Sequence, residues 1–316
     1  MKNLLSEQSA TEGLVIWSSG QKSKILTTVG FEVLASPATR SISPLVGDRV
    51  VLKRSAPSAW TVTSLLERRS LYKRSYRGRV KELAANIDQL LIVVAPVPKP
   101  NFLTIDRMIV EGLAQGIKIA IIFNKVDIKS DFLSQVANTY QGFMPLIQTN
   151  TIFDSGLNEL RSYLRSGGVN SLTALCGVSG VGKSALIKKL CLSAELEVGD
   201  LSKKSSQGKQ TTSLAKIYRC FADGLDQEIW LLDLPGVQNF GLSHLSYEKV
   251  LLGFPDFREF LVNCEFPRSC KHTAERECGI KQAVLKGEIK ESRYKSYLHI
   301  LNELVENQSF IWQSKK

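Results

Sequence analysis

The 316-residue sequence is short of acidic residues and of long apolar segments. It has 30 Asp and Glu against 41 Lys and Arg, which gives a formal net charge of +11. Such an excess favours polyanionic partners, of which nucleic acid and an anionic membrane are the first candidates. No apolar run reaches the length of a membrane-spanning helix, and the N-terminus lacks the basic start and apolar stretch of a secretory signal. We therefore expect a cytoplasmic protein with no membrane partner.

Changes in sequence pattern predict three domains. Residues 1–70 contain about five short β-rich runs separated by turn residues, which suits an OB-fold barrel, although an SH3-like barrel has a similar pattern. Residues 86–243 alternate β-branched apolar runs with helix-length segments, which predicts a mostly parallel α/β sheet. Residues 244–316 lack strand patterns and end in an amphipathic stretch, so we expect a helical domain.

A basic segment between the first two domains is predicted as a linker over residues 71–85. A charge run of this kind is usually a solvated connection. The alternative is an RNA contact, because the segment interleaves cations with Tyr72 and Tyr76 beside a predicted OB-fold. The candidate RNA-binding cations are Arg68, Arg69, Lys73, Arg74, Arg77, Arg79 and Lys81.

Residues 177–184 read GVSGVGKS and lie between a predicted strand and a predicted helix, the context in which this pattern binds phosphates. The loop backbone N–H groups and the positive end of the following helix would hold the phosphates. Lys183 would reach the β and γ phosphates, and Ser184 would ligate Mg²⁺. The predicted nucleotide-binding residues of this phosphate loop are Gly177, Val178, Ser179, Gly180, Val181, Gly182, Lys183, Ser184 and Ala185.

Residues 124–127 read NKVD directly after another predicted strand and indicate that the bound base is guanine. Asp127 can accept hydrogen bonds from both N1–H and N2–H of guanine, two donors that adenine does not present together. Asn124 would face the base edge or brace the loop, and the aliphatic stem of Lys125 would cover the ring. We therefore expect GTP and GDP as ligands.

A further motif, DLPG at residues 233–236, is typical of a loop that senses the γ-phosphate. Asp233 would hold Mg²⁺, directly or through water, and the Gly236 N–H would contact the γ-phosphate. In the polar stretch before this strand, Thr212, or alternatively Thr211, would complete the Mg²⁺ shell. We assign phosphate and transition-state stabilisation to Lys183, Thr212 and Gly236.

The residue after DLPG is Val237, whereas Ras-like enzymes carry a glutamine there that orients the attacking water. Valine cannot hold water by hydrogen bonding, so the sequence predicts slow intrinsic turnover. Gln210 and Gln238 are possible substitutes, but a partner that completes the site is the more economical hypothesis.

The order of the motifs is reversed, because NKVD precedes the phosphate loop. Such an order results if the last third of a GTPase domain is moved to its front. A doubly wound sheet allows this, because it can be cut in one connection and rejoined at its old termini if these lie close together. The sequence therefore predicts a circular permutation. The sequence resembles the circularly permuted GTPases of bacterial small-ribosomal-subunit biogenesis. The features that carry this resemblance are an OB-like start, a Cys-rich tail and the motif order NKxD, GxSGVGKS, TT, DxPG.

This resemblance covers nearly the whole chain. It implies a GTPase that docks on the immature small subunit and its rRNA, is strongly stimulated by it, and acts late in its maturation; we expect a monomer. Three positions depart from the family pattern: Gln210 replaces the histidine of His-Thr-Thr, DLPG replaces DTPG, and no serine-alanine base signature is evident. Thr149 and Asn150 are the nearest candidates for that signature.

Two other functions remain open at this point. A GTP-gated RNA-binding adaptor would hydrolyse GTP only incidentally. A metabolic P-loop kinase would leave NKVD and DLPG without a role.

Three of the six cysteines and one of the three histidines fall within a short segment near the C-terminus. Three thiolates and an imidazole are the ligands of tetrahedral structural Zn²⁺, with no open position for chemistry. The predicted zinc ligands are Cys264, Cys270, His272 and Cys278.

Overall fold

A computed structural model describes residues 10–56, 59–76, 78–191, 215–221, 228–236 and 239–313 of the chain. Six residues with predicted roles lie outside these ranges. They are Arg77, Gln210, Thr211, Thr212, Val237 and Gln238.

The N-terminal part is a closed barrel in the order β1-β2-β3-β5-β4, with β3 parallel to β5. Its core consists of alternate strand residues such as Val15, Ile25, Val50 and Val62, all fully buried. This five-stranded Greek-key closure is that of an OB-fold, so the OB-fold prediction is confirmed. The strands are β1 (Thr11–Ser18), β2 (Ser23–Thr27), β3 (Glu32–Pro37), β4 (Arg49–Ala56) and β5 (Ala59–Leu65).

Residues 71–85, which the sequence predicts as a linker, form an antiparallel hairpin of β6 (Leu71–Tyr76) and β7 (Arg79–Ala85). Tyr72 is fully buried beneath the hairpin, where its ring packs on Phe240. A shift of register between Tyr72 and Lys73 places both Tyr72 and Ser75 in the interior, so no simple alternation along the sequence reveals them. Tyr72 is therefore not available to stack on a base, which the alternative of an RNA contact would have required.

The central sheet has six strands in the order β10-β9-β8-β11-β13-β12, and all neighbours are parallel except β12 and β13. Along β8, Leu90 and Ile92 face one hydrophobic core, whereas Leu91 and Val93 face the other. This strand is buried on both faces, as its continuous apolar run predicts. The strands are β8 (Gln89–Val94), β9 (Lys118–Asn124), β10 (Leu146–Thr149), β11 (Leu172–Cys176), β12 (Lys216–Phe221) and β13 (Glu228–Asp233). The helices are α1 (Phe102–Ala114), α2 (Phe132–Tyr140), α3 (Leu157–Arg165) and α4 (Lys183–Leu190).

The C-terminal part is helical and packs against α1. Arg293 is fully buried, and its guanidinium donates to Asp106 on α1 at 2.6 Å and to Asp256 at 2.7 Å. A second ion pair joins Arg107 of α1 to Glu303. The elements are α5 (Tyr247–Leu252), a 3-10 helix (Pro255–Asn263), α6 (Gly279–Leu285) and α7 (Glu291–Gln313). None of the helices in the described part of the chain is both long and apolar enough to cross a bilayer.

Candidate functional site

The three nucleotide motifs meet at one edge of the central sheet. NKVD begins at the end of β9, the phosphate loop follows β11 and DLPG begins at the end of β13. Because these strands are parallel, their carboxyl ends open onto the same crevice, which is where α/β sheets bind ligands.

Two side chains of the NKVD segment donate hydrogen bonds to backbone carbonyls of the phosphate loop. The fully buried amide of Asn124 donates from Nδ2 to the carbonyl of Val181 at 3.0 Å and accepts from Thr149 Oγ1 at 3.2 Å. The amine of Lys125 donates to the carbonyls of Gly180 and Val97 at 2.8 and 2.9 Å. Of the two roles open to Asn124, the structure therefore has the bracing one.

Lys183 is folded back over the loop that precedes it. Its Nζ donates to the carbonyls of Gly177 and Val178 at 3.0 and 3.4 Å. Val181 is fully buried and anchors the loop in the hydrophobic core, whereas Ser179, Ser184 and Ala185 are exposed at the crevice. The loop thus presents backbone and hydroxyl groups to a ligand, while the burial of Val181 fixes its position on the sheet.

Gly182 is a position where only glycine fits. Its φ is +101°, and an added Cβ would lie 2.2 Å from the Asn124 amide nitrogen. Replacing Gly182 with alanine should displace Asn124 and lower the affinity for GDP about tenfold to 100-fold, since such strain costs about 1–3 kcal/mol. Titration with a fluorescent GDP analogue measures this change.

Gly116→Ala is a matched control for that substitution. Gly116 also has a positive φ, of +72°, but no atom lies within 4 Å of an added Cβ, and the residue is at the opposite end of β9. Equal GDP affinities of the two variants would contradict the bracing role of Asn124.

Asn150 lies beside Asp127, the residue predicted to read guanine. Its Nδ2 donates to Asp127 Oδ1 at 2.8 Å, while its Oδ1 accepts from the backbone N–H groups of Ile152 and Phe153 at 2.8 and 3.2 Å. The loop therefore holds one oxygen of the Asp127 carboxylate in place. Ile152 and Phe153 are 72% and 73% exposed, and no sequence signal set these two residues apart from ordinary loop residues.

The predicted Mg²⁺ ligands Ser184 and Asp233 are in direct contact, since Ser184 Oγ donates to Asp233 Oδ2 at 3.0 Å. Burial raises the pKa of Asp233, against the opposing effects of this hydrogen bond and of the nearby charge of Lys183. A hydroxyl and a carboxylate are the hard oxygen ligands that Mg²⁺ takes beside phosphates. The two residues present fit that ion, and Thr212 lies outside the described residues.

The DLPG motif lies on the phosphate loop. An added Cβ at Gly236 would lie 3.0 Å from the backbone nitrogen of Ser179, a distance tighter than most side-chain contacts. Glycine at this position therefore allows the two loops to approach. Both candidates for orienting the attacking water, Gln210 and Gln238, lie outside the described residues.

The predicted zinc ligands form one buried cluster, in which their four ligand atoms lie within 4.8 Å of one another. His272 Nδ1 faces Cys264 Sγ at 3.5 Å and Cys278 Sγ at 3.4 Å, and Gly279 N donates to Cys264 Sγ at 3.3 Å. Burial raises the pKa of the Cys270 thiol to about 12. Such a donor set fits a tetrahedral metal ion that binds the sulfurs as thiolates.

The candidate RNA-binding cations divide into two groups. The first group has partners within the protein. Arg68 forms a bidentate ion pair with buried Asp48. Arg69 pairs with Asp88 at 2.8 Å, and Arg74 donates to the Asn239 carbonyl. Arg79 and Lys81 are exposed on β7, and Lys73 is half-buried. Among the described residues, Arg79 and Lys81 are therefore the candidate cations most accessible to a partner, and Arg77 lies outside those residues.

One pairing of cysteines was not anticipated. Cys191, after α4, and Cys220, on β12, form a disulfide across the end of the phosphate-loop helix. Both cysteines lie in apolar surroundings. An apolar sequence context predicts that a cysteine is buried but does not predict its partner.

Comparison with known proteins identifies the family. The model of the family described as RsgA GTPase matches residues 65–243, which is more than half of the chain. The chain belongs to the RsgA GTPase family. As a member of this family it is a GTP hydrolase, and the suspected resemblance is confirmed.

Named relatives extend the similarity beyond the matched region. The chain is 35% identical to "Small ribosomal subunit biogenesis GTPase RsgA" of Hahella chejuensis over 311 residues, 93% of this chain and 85% of that protein. It is also 35% identical to the Pseudomonas aeruginosa protein of the same name over 83% of this chain and 76% of that protein.

Two solved structures share the fold of this RsgA-family GTPase. YjeQ from Thermotoga maritima superimposes with a TM-score of 0.70 at 25% identity, over 94% of this chain and 99% of that one. YloQ, described as a circularly permuted GTPase, gives a TM-score of 0.66 at 23% identity, over 94% and 96%. The predicted circular permutation is thereby confirmed.

Proposed function

We propose that this GTPase acts on the small ribosomal subunit late in its maturation, binds the rRNA of that subunit, and turns over GTP rapidly only when bound to it. The observation that carries this proposal is a nearly complete nucleotide site followed by Val237 instead of a water-orienting glutamine. The names of the relatives supply the kind of partner, since they describe small-subunit biogenesis GTPases.

Each motif has a role in this proposal. Asp127, held by Asn150, reads guanine, and the stem of Lys125 covers the base. Lys183 neutralises charge on the β and γ phosphates, and the Gly236 N–H contacts the γ-phosphate. Ser184 and Asp233, with Thr212, would hold Mg²⁺, which neutralises the charge that develops on the phosphate oxygens.

Hydrolysis requires water to attack the γ-phosphorus as the bond to the β–γ bridging oxygen breaks, giving GDP and phosphate. Val237 offers the water no hydrogen bond, so the intrinsic reaction is slow. A group from the bound subunit, or Gln210 or Gln238 reoriented by it, would supply the missing contact.

Positive charge supports the assignment of an RNA partner. The net charge of +11 and the exposed Arg79 and Lys81 favour salt-dependent binding to rRNA phosphates. We further propose that Cys264, Cys270, His272 and Cys278 hold one structural Zn²⁺, and that the protein works as a cytoplasmic monomer.

Turnover of GTP by purified protein, measured with and without small ribosomal subunits, tests the proposal. A trans-acting catalytic group is worth about 10³- to 10⁵-fold in rate, and we expect stimulation in or near that range. Large subunits at the same concentration are the control for non-specific RNA binding. Lys183→Ala should still bind the subunit weakly but show no stimulation.

Equal turnover with and without small subunits would contradict the proposal. If the protein then still bound these subunits more tightly with a non-hydrolysable GTP analogue than with GDP, a GTP-gated adaptor would be the better description.

A further inference from the structure

Residues 239–244 carry the chain away from DLPG and are fixed to β6. Gly241 and Ser75 exchange two backbone hydrogen bonds, of 2.8 and 2.9 Å. Ser243 N donates to Ser75 Oγ at 2.9 Å, and Arg74 Nη1 donates to the carbonyl of Asn239 at 3.0 Å. The segment therefore runs as an added edge beside β6 before it enters the C-terminal domain.

The buried carboxylate of Glu111, on α1, holds the end of this segment. Its Oε2 lies 2.8 Å from His244 Nε2, and its Oε1 accepts from Lys73 N at 3.0 Å and from Gln115 Nε2 at 3.3 Å. Glu111 is fully buried, and the His244 side chain is 10% exposed. One carboxylate thus joins α1, β6 and the segment that follows DLPG.

The contact with Glu111 also orients the ring of His244. Within the described part of the chain, His244 Nδ1 is buried without a hydrogen-bond partner, so Nε2 makes the directional contact. A buried carboxylate is costly unless a donor or cation faces it, and His244 Nε2 is the side-chain group of this segment that does so. Neither group has a role in binding the nucleotide as described above.

The other end of the DLPG loop is fixed on the sheet and the phosphate loop. Leu234 N donates to the Leu175 carbonyl at 3.1 Å, and Gly236 lies against the backbone of Ser179. Only residues 237 and 238 separate Gly236 from Asn239. A shift of residues 239–244 would therefore be passed to Gly236 over a very short stretch of chain.

We propose that Glu111 and His244 are positioning residues for GTP hydrolysis, which set the DLPG loop so that the Gly236 N–H meets the γ-phosphate. The guanine and the phosphate loop depend on separate contacts, those of Asn150 with Asp127 and of Asn124 with Val181. Loss of the Glu111–His244 pair should therefore lower kcat and leave the affinity for GDP unchanged. The inference rests on GTP hydrolysis by the isolated protein and not on its proposed ribosomal partner.

The test is the intrinsic turnover of His244→Ala without ribosomal subunits. We expect kcat to fall about tenfold, because small displacements of positioned groups are costly in rate, while the affinity for GDP, which has no γ-phosphate, stays within about twofold. His244→Gln keeps an N–H that can reach Glu111 and should recover most of the lost kcat.

Glu303→Gln is the matched control. It removes the carboxylate of Glu303, which lies on α7 and pairs with Arg107 of α1. This ion pair also joins α1 to another element, but it does not involve the segment that follows DLPG. We expect its kcat to equal that of the unmodified protein. Equal losses of kcat in His244→Ala and Glu303→Gln would show a general effect of destabilising α1 and would overturn the proposal.

If His244→Ala does not fold, the double variant Glu111→Leu with His244→Phe gives the same test. It removes the carboxylate and the imidazole together and leaves no unpaired buried charge, at the cost of the hydrogen bonds that Lys73 N and Gln115 Nε2 donate to Glu111. A folded variant of either kind, verified by circular dichroism, that retains full kcat would overturn the proposal.

Discussion

Cys278→Ser should abolish stoichiometric zinc binding and unfold the C-terminal domain while the barrel and the central sheet stay folded. Structural zinc contributes about 10–16 kcal/mol to the folding of small modules, more than a helical domain of this size can replace. The cluster also orders its surroundings, because Tyr294 and Tyr297 of α7 donate to the carbonyls of His272 and Lys271. Zinc content by atomic emission and limited proteolysis of the segment after residue 244 would measure the two effects.

Lys271→Ala is the control for this substitution, because its exposed side chain lies between two ligands and contributes none. It should retain one zinc per chain and the proteolytic pattern of the unmodified protein. A chelator that removes zinc should reproduce the Cys278→Ser pattern. A zinc-free protein with a protease-resistant C-terminal domain would rule out a structural role for the metal.

Asp127→Ala should lower the affinity for GTP and GDP by about 10²- to 10⁴-fold. The carboxylate would accept two hydrogen bonds from guanine, each worth about 1.5–3 kcal/mol when one partner is charged. The backbone N–H groups of Ile152 and Phe153 still donate to Asn150 in this variant, so the loss is one of interaction energy and not of loop structure. Equilibrium titration with fluorescent GDP and ATP analogues measures both the affinity and the preference for guanine.

Asp131→Asn is the matched control, an exposed carboxylate shortly after NKVD whose partner is Gln135. It should leave nucleotide affinity unchanged. The assignment of Asp127 would be wrong if Asp127→Ala still preferred GDP to ATP as strongly as the unmodified protein does.

Several features of the site could be predicted because their chemistry depends on short, contiguous sequences. A phosphate loop needs its glycines and lysine at set spacings, and NKVD needs a preceding strand, so each was recognisable without knowledge of the fold. The Cys and His residues of the cluster are also close in sequence, which allowed their grouping before the structure brought the four ligand atoms together.

The hairpin of β6 and β7 shows where such prediction stops. Its inward residue Tyr72 is buried by residues far along the chain, among them Met108, Cys176 and Phe240. A pattern of charges close in sequence contains no information on that contact. For the same reason Arg68, apparently free to bind RNA, turned out to pair with the buried carboxylate of Asp48.

The sequence by itself determined the reversed order of the motifs and predicted the class of ligand and the kind of metal site, because these depend on residue types at fixed local spacing. Only the tertiary structure decided how the motifs hold one another: Asn124 beneath the phosphate loop, Asn150 against Asp127, and Glu111 against His244. These contacts join residues 23 to 133 positions apart, and no local pattern specifies which distant partner a buried polar group will find.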